Sequence, residues 1–166
     1  YKNGTDGTAT IAINAMQAAS NPHHFLGINN DGHASIVSTT GNPDGHLVLR
    51  GGKNGTNYHL DAINLIIDEL AKFNMPERVM VDCSHGNSNK DFRRQAKVLR
   101  DVASQLKGGS KNVMGVMIES HLVEGNQKLN SDLSKLTYGQ SVTDACINFS
   151  TTKILLEELA ESIKYI

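Results

Sequence analysis

His46-Leu-Val-Leu-Arg50, Val79-Met-Val-Asp-Cys-Ser-His85 and Val113-Met-Gly-Val-Met-Ile-Glu119 are short apolar runs, each ending on a group able to hold a phosphate or a metal ion. Arg50 to His85 is 35 residues and His85 to Glu119 is 34, close to one strand–loop–helix–loop unit each. A parallel barrel with that rhythm carries successive reactive groups on one rim, at the carboxyl ends of its strands. The spacing therefore predicts an α/β chain with a parallel sheet, its strands buried on both faces.

The segments around these runs agree. Thr8 to Ser20 is Ala-rich, with Ile11, Ala12, Ala15, Met16 and Ala19 on a helical period, and Asn21-Pro22 stops it. His24 to Ile28 reads as a short buried strand, followed by the turn Asn29-Asn-Asp-Gly32. Ser35 to Thr40 and His46 to Arg50 flank Gly41-Asn-Pro-Asp-Gly45, which predicts a β-ribbon leading into the strand that ends at Arg50. Ile63, Ile66, Ile67, Leu70 and Phe73 form one helical stripe; Phe92, Ala96, Leu99, Val102 and Leu106 form another, closed by Gly108-Gly109. A polar excursion runs from Glu119 to about Gln140, and Leu155, Leu156, Leu159 and Ile163 mark a terminal helix.

Bulk properties exclude several classes. The 166 residues suit one domain, taken as residues 1–166, and 39% hydrophobic content is ordinary for a globular protein. A formal charge of −1 gives no general attraction to nucleic acid. No apolar stretch approaches the roughly 20 residues that span a bilayer, so no membrane association is expected. Two cysteines, Cys83 and Cys146, make no disulfide framework and point to a reduced, cytoplasmic setting. The chain opens at Tyr1-Lys2-Asn3-Gly4 on what reads as a loop leaving a strand. About four strands fit this length, so the expectation is the second half of a larger barrel.

The candidate chemistry sits at the strand ends. Arg50 precedes Gly51-Gly52, where backbone can approach a ligand closely, and its guanidinium fork suits phosphate or carboxylate; the alternative is a surface ion pair. Lys2, in a turn-rich loop, either aims its ammonium at an anionic substrate or is solvated. His85, Glu119 and Asp144 together offer an imidazole and carboxylates suited to Mn²⁺, Fe²⁺, Co²⁺ or Zn²⁺. Asp82 is equally compatible with an internal salt bridge and with catalysis. Cys83 reads as a small buried filler, and Cys146 as packing close to the candidate metal site. The other histidines show no HxxxH or HExxH spacing, and no GxxxxGK[ST] loop is present.

Five strings taken in order are more specific than any one of them: Lys2-Asn-Gly-Thr-Asp-Gly7, Leu49-Arg-Gly-Gly52, Asp82-Cys-Ser-His-Gly-Asn-Ser88, Ile118-Glu-Ser-His-Leu-Val-Glu-Gly-Asn-Gln127 and Ser141-Val-Thr-Asp-Ala-Cys146. They closely resemble the C-terminal part of the class I 3-deoxy-D-arabino-heptulosonate-7-phosphate (DAHP) synthase family, from end to end of the chain. The resemblance implies a (β/α)8 TIM barrel of which this chain supplies about strands 5 to 8 plus a β-ribbon insertion, the N-terminal half being absent. It implies a transferase that condenses phosphoenolpyruvate with erythrose 4-phosphate and water, releasing phosphate, as the first step of the shikimate pathway to aromatic amino acids. It gives His85, Glu119 and Asp144 as ligands of a required divalent metal. Arg50 then contacts the phosphate of phosphoenolpyruvate, Lys2 lies nearer its carboxylate, and Asp144 also contacts substrate. Lys2 and His85 are the catalytic residues it implies, with proton relay open between His85 and Asp144. The family's fourth ligand, a cysteine of the first strand, aligns with neither Cys83 nor Cys146.

The resemblance also implies feedback inhibition by an aromatic amino acid, with Phe25 and Gly27 beside the effector pocket, and a homodimer or homotetramer. Gly27 favours the tyrosine-sensitive branch, because a serine there would intrude on a phenol hydroxyl; the bland alternative is that glycine merely suits the backbone. Two other functional readings stand beside this one: a barrel synthase or aldolase of different acceptor specificity, and an inactive assembly or regulatory piece. The isolated chain is expected to have little activity and to self-associate through open sheet edges.

Overall fold

The Ala-rich run becomes α1 (Thr10–Ala19) in the computed structural model, which describes residues 1–164. Its core face is Ala12, Ile13 and Met16, while Ile11 is 72% exposed. The expected stripe through Ile11, Ala15 and Ala19 is therefore displaced to a neighbouring face. Alanines lie on several sides of this helix, so only its few large side chains discriminate, and the core took Ile13.

β1 (His23–Ile28) and β2 (Ala34–Thr39) pair antiparallel, with Leu26 opposite Ile36 and Phe25 opposite Val37. Two expectations change here. β1 is exposed along nearly its whole length rather than buried, and the ribbon joins β1 to β2 rather than Ser35–Thr40 to His46–Arg50. The turn decides the pairing: Asn29 Oδ1 accepts from the N–H groups of Asp31 and His33 at 3.0 and 2.9 Å, and Gly32 supplies a positive φ of 80°. After β2 the chain is drawn back to α1 by a bond from Asn42 N–H to Ala19 C=O at 2.8 Å.

β3 (Leu47–Leu49), α2 (Leu60–Lys72), β4 (Val79–Asp82), α3 (Gln95–Lys107) and β5 (Val113–Met117) then alternate, and the strands form a parallel sheet in the order β3-β4-β5. Lys2 adds a parallel bridge to Val48 on the outer side of β3. Beyond β5, the polar excursion contains β6 (Ser120–His121), β7 (Val123–Asn126) and β8 (Gln140–Ser141), before β9 (Ile147–Asn148) pairs parallel with β6 and leads into α4 (Phe149–Ser162). Asn148 starts α4 by accepting from Thr151 N–H at 2.8 Å. Gly109, at φ 95°, ends α3 with Ser110 N–H closing back onto Gln105 C=O at 3.1 Å.

One core joins all four helices to the sheet. Leu47, Leu49, Val79 and Val81 meet Ile13 and Met16 of α1, Ile63 and Leu70 of α2, Leu99 and Val102 of α3, and Leu155 of α4. Strand alternation sends Met80 and Asp82 to the opposite face. That second face is only partly covered: Met80 on β4, and Gly115 and Met117 on β5, are half-buried. Burial on both faces, expected for a parallel sheet, is thus complete on the helix side and partial on the other, where Val48 and Asp82 are buried. Leu156 and Ile163 likewise remain about half exposed.

Candidate functional site

Because β3, β4 and β5 run parallel, the residues that follow them gather on one edge. Arg50 comes directly after β3, Asp82 closes β4, and Glu119 stands two residues past β5. His85 is reached through the tight turn Cys83-Ser84-His85-Gly86 and adopts φ 52°, a left-handed conformation that costs a non-glycine residue about 1–2 kcal/mol. Asn87 N–H bonds to Ser84 C=O at 3.1 Å and Lys90 N–H to His85 C=O at 2.8 Å, which hold the turn against that cost.

The turn brings His85 Nε2 to 3.6 Å from Glu119 Oε1 and 3.9 Å from Asp144 Oδ2. One donor atom from each of the three residues lies within 4.8 Å of the others. Ser84, Lys90, Phe92 and Ala145 complete the walls of this recess, which has a volume of about 110 Å³. Glu119 is held from behind. Ser84 Oγ donates to Glu119 Oε2 at 2.5 Å, and the fully buried Gln95 bonds the Glu119 backbone in both directions, at 3.0 and 2.8 Å. Asp144 is the most exposed of the three and is placed by its neighbours: Ile147 N–H donates to Glu119 C=O at 3.0 Å, and Gly125 and Cys146 exchange backbone bonds at 2.8 and 3.1 Å.

The set fits a divalent ion. His85 Nε2 makes no hydrogen bond among the described residues, and both facing oxygens are acceptors rather than partners for a neutral acceptor nitrogen. Ligand bonds of about 2.1 Å allow donors up to about 4.2 Å apart, so a sub-ångström adjustment of the carboxylates suffices.

Arg50 is half-buried and, among the described residues, has no carboxylate within ion-pair distance. It lines an open cavity of about 610 Å³ together with Thr5, Lys53 and Lys90. Lys90 borders both this cavity and the His85 recess, so the two are neighbours. Lys2 is paired as well as partly solvated: its ammonium donates to Asp82 Oδ2 at 2.7 Å, with the side chain 35% exposed. The open question about Asp82 is answered on the side of an ion pair, with His85 Nδ1 as a second neighbour at 2.9 Å.

Gly51 and Gly52 serve a purpose beyond the one their sequence suggests. A Cβ on Gly51 would lie 2.6 Å from the Gly86 carbonyl carbon, and one on Gly52 would lie 2.3 Å from Gly7 N. These glycines let three loops pack backbone to backbone, and both also line the cavity beside Arg50.

Sequence reading missed the groups that hold those loops. Asn3 Oδ1 accepts from Arg50 N–H at 2.7 Å, Asn57 Oδ1 from Gly51 N–H at 2.7 Å, and Asn87 Oδ1 from Asn57 N–H at 2.9 Å. Asn87 Nδ2 donates to Leu49 C=O at 3.0 Å and Asp82 C=O at 2.9 Å. All three amides are buried, so they lock the Lys2 segment, β3 and β4 together at the strand-end edge. The available signal was an asparagine beside glycine at Asn3 and Asn87; Asn57, between Thr56 and Tyr58, offered none.

Cys83 is fully buried, and burial, with the charge of Asp82 second, pushes its thiol up to about 12. Burial also raises Cys146, with the negative charge of Glu119 next. Both cysteines are packing groups. Phe25 and Gly27 lie on the ribbon, away from the strand ends. Phe25 is 52% exposed and lines a hollow of about 660 Å³ at the ribbon base with His23, Thr39 and Ala19. The space beside Gly27 is filled by Val37, whose Cγ2 would lie 2.7 Å from an added Cβ.

Comparison with known proteins places the chain. The family model described as the DAHP synthetase I family matches residues 1–157. The phospho-2-dehydro-3-deoxyheptonate aldolases of Escherichia coli are similar: the Tyr-sensitive one is 48% identical over 98% of this chain, and the Phe-sensitive one 49% over 99%. This chain spans 46% of each, about half the length of the curated relatives it matches. The structure of phospho-2-dehydro-3-deoxyheptonate aldolase from Francisella tularensis superposes with a TM-score of 0.92 at 46% identity, covering 98% of this chain and 47% of that one. No described helix is long and apolar enough to cross a membrane. On this evidence the chain belongs to the DAHP synthetase I family.

Proposed function

We propose that this chain is the C-terminal half of the catalytic (β/α)8 barrel of a metal-dependent DAHP synthase. Lys2 marks the fifth strand, β3 to β5 are the sixth to eighth, and the enzyme joins phosphoenolpyruvate to erythrose 4-phosphate. The observation that carries the reading is the convergence of His85, Glu119 and Asp144 within 4.8 Å, beside a cavity holding the unpaired Arg50. Exposed area supports the half-barrel. A compact monomer of 18.0 kDa exposes about 8,000 Å², whereas this chain exposes 10318 Å². That excess of about 2,300 Å² exceeds the roughly 800 Å² each partner buries in a standard complex, and matches a face awaiting the other half of a barrel.

His85, Glu119 and Asp144 hold the divalent metal. When bound there, the ion supplies Lewis acidity that polarises the aldehyde of erythrose 4-phosphate. Arg50 grips the phosphate of phosphoenolpyruvate bidentately, and Lys53 and Lys90 add positive charge to the same cavity. Lys2, at the end of its Asp82 pair, reaches the donor's carboxylate. Together they hold C3 of the enol against the aldehyde carbon, so that the new C–C bond forms within one cavity. Water then adds at C2, and phosphate departs with cleavage of its C–O bond. His85 or Asp144 passes a proton of that water to the alkoxide formed at the former aldehyde oxygen.

Feedback by an aromatic amino acid belongs to the same reading. The two E. coli relatives are almost equally identical to this chain, so overall likeness does not choose between tyrosine and phenylalanine. Tyrosine is proposed on Gly27 and the hollow beside Phe25. The assay for the whole proposal is phosphate release from phosphoenolpyruvate by the chain joined to the N-terminal half of a family barrel. Release that requires both erythrose 4-phosphate and a divalent metal is expected, and the chain alone is expected to release none. Release with another aldose phosphate and none with erythrose 4-phosphate would transfer the reading to a different synthase.

A further inference from the structure

We propose that Asp82 is a positioning residue that couples the two halves of the site, one carboxylate oxygen being shared between Lys2 and His85. The inference rests on the metal and substrate reading given above. Asp82 is fully buried at the end of β4, on the sheet face opposite the helices. A buried carboxylate is costly unless its oxygens are matched. Oδ1 accepts from Ser84 N–H at 2.9 Å, within the turn that presents His85. Oδ2 accepts from Lys2 Nζ at 2.7 Å and lies 2.9 Å from His85 Nδ1. The histidine contact is short but off the line of a good hydrogen bond, leaving Nδ1 buried and otherwise unpartnered.

A simple structural ion pair consumes its cation. Here both neighbours keep a working end outward: the Lys2 side chain is 35% exposed, and His85 Nε2 faces Glu119 and Asp144. A carboxylate behind a ligating histidine fixes the ring's orientation and tautomer. Because the same oxygen also holds Lys2, the two functions compete for it. Drawing Nδ1–H onto Oδ2 loosens Lys2 for its anionic substrate, and a substrate that draws Lys2 away leaves Oδ2 to the histidine. Metal and phosphoenolpyruvate therefore strengthen each other's binding by one reciprocal factor.

The test is Mn²⁺ affinity of the full chain, read by electron paramagnetic resonance, in a cycle of Asp82→Asn and Lys2→Met. Asp82→Asn is nearly isosteric and is expected to weaken Mn²⁺ by about 10–100-fold. Lys2→Met is expected to tighten Mn²⁺ binding when Asp82 is present, because Oδ2 is then undivided, and to do so far less in the Asp82→Asn background. Plain charge repulsion between Lys2 and the ion predicts equal or greater tightening in that background, which would overturn the shared-oxygen inference. So would Mn²⁺ affinity unchanged by Asp82→Asn with only a lowered melting temperature. Absence of Mn²⁺ binding by the unmutated chain would remove the reading of the site itself, and this inference with it.

Discussion

Replacing Asn87 with alanine probes the amide network at the strand-end edge. The side chain makes three hydrogen bonds: Nδ2 to the carbonyls of Leu49 and Asp82, and Oδ1 from Asn57 N–H. Asn87 is 3% exposed, so water cannot readily replace it. Alanine leaves a buried N–H and the two carbonyls short of a partner. At about 1 kcal/mol for each net bond, the expected loss is about 3 kcal/mol. For a domain of this size that is a fall of about 6–12 °C in melting temperature. The assay is urea unfolding followed by circular dichroism, comparing midpoints at a common slope. A second readout is specific to the site, since Leu49 precedes Arg50 and Asp82 precedes the His85 turn. Anion and metal affinities should therefore fall along with stability. A loss below about 1 kcal/mol with both affinities intact would refute the claim that these amides hold the edge together.

Three further outcomes follow from particular contacts. Cys83, protonated across the neutral range and fully buried, should react with thiol reagents only as fast as the chain unfolds; rapid labelling of the native chain at pH 8 would contradict its placement. The Arg100 guanidinium beside Glu158 lowers that carboxyl, through bonds at 2.7 and 2.9 Å joining α3 to α4. A lowered carboxylate stabilises above its unfolded-state value and loses that contribution as pH falls through the folded one. A double-mutant cycle should give at most about 1 kcal/mol near pH 7 for so exposed a pair, vanishing in acid; coupling that grows in acid would reverse the sign. In the complete enzyme, tyrosine should inhibit at lower concentration than phenylalanine, and Gly27→Ser should reverse the order. An unchanged order would assign Gly27 to the packing of Val37 alone.

The strand ends were legible because parallel topology leaves little choice. Once three apolar runs recur at constant spacing, Arg50, His85 and Glu119 must gather on one edge, and they do. The α2 and α3 stripes were readable for a similar reason, since Ile63, Leu70, Leu99 and Val102 are large residues on a clear period. What failed was decided by tertiary contacts, or by a local turn whose consequence for pairing was missed. The face of α1 was ambiguous among its alanines, and β1 found its partner through an asparagine turn rather than through apolar content. Gly51 and Gly52 announced close approach but not of what; the answer, neighbouring backbone, requires the loops of Gly7, Gly52 and Gly86, far apart in sequence, to be seen together. The Asn3–Asn57–Asn87 network was illegible for the same reason, and so was the double use of Asp82. The domain expectation runs to residue 166, and its last two positions lie outside the described residues.

The central claim is that imidazole and carboxylate groups from successive strand ends clasp one divalent cation. Mn²⁺ titration of the full chain, followed by loss of the free-ion resonance signal, addresses it directly. One saturable site per chain is predicted, lost on His85→Ala and weakened on Glu119→Gln and Asp144→Asn. No saturable site, or one indifferent to all three substitutions, would contradict it.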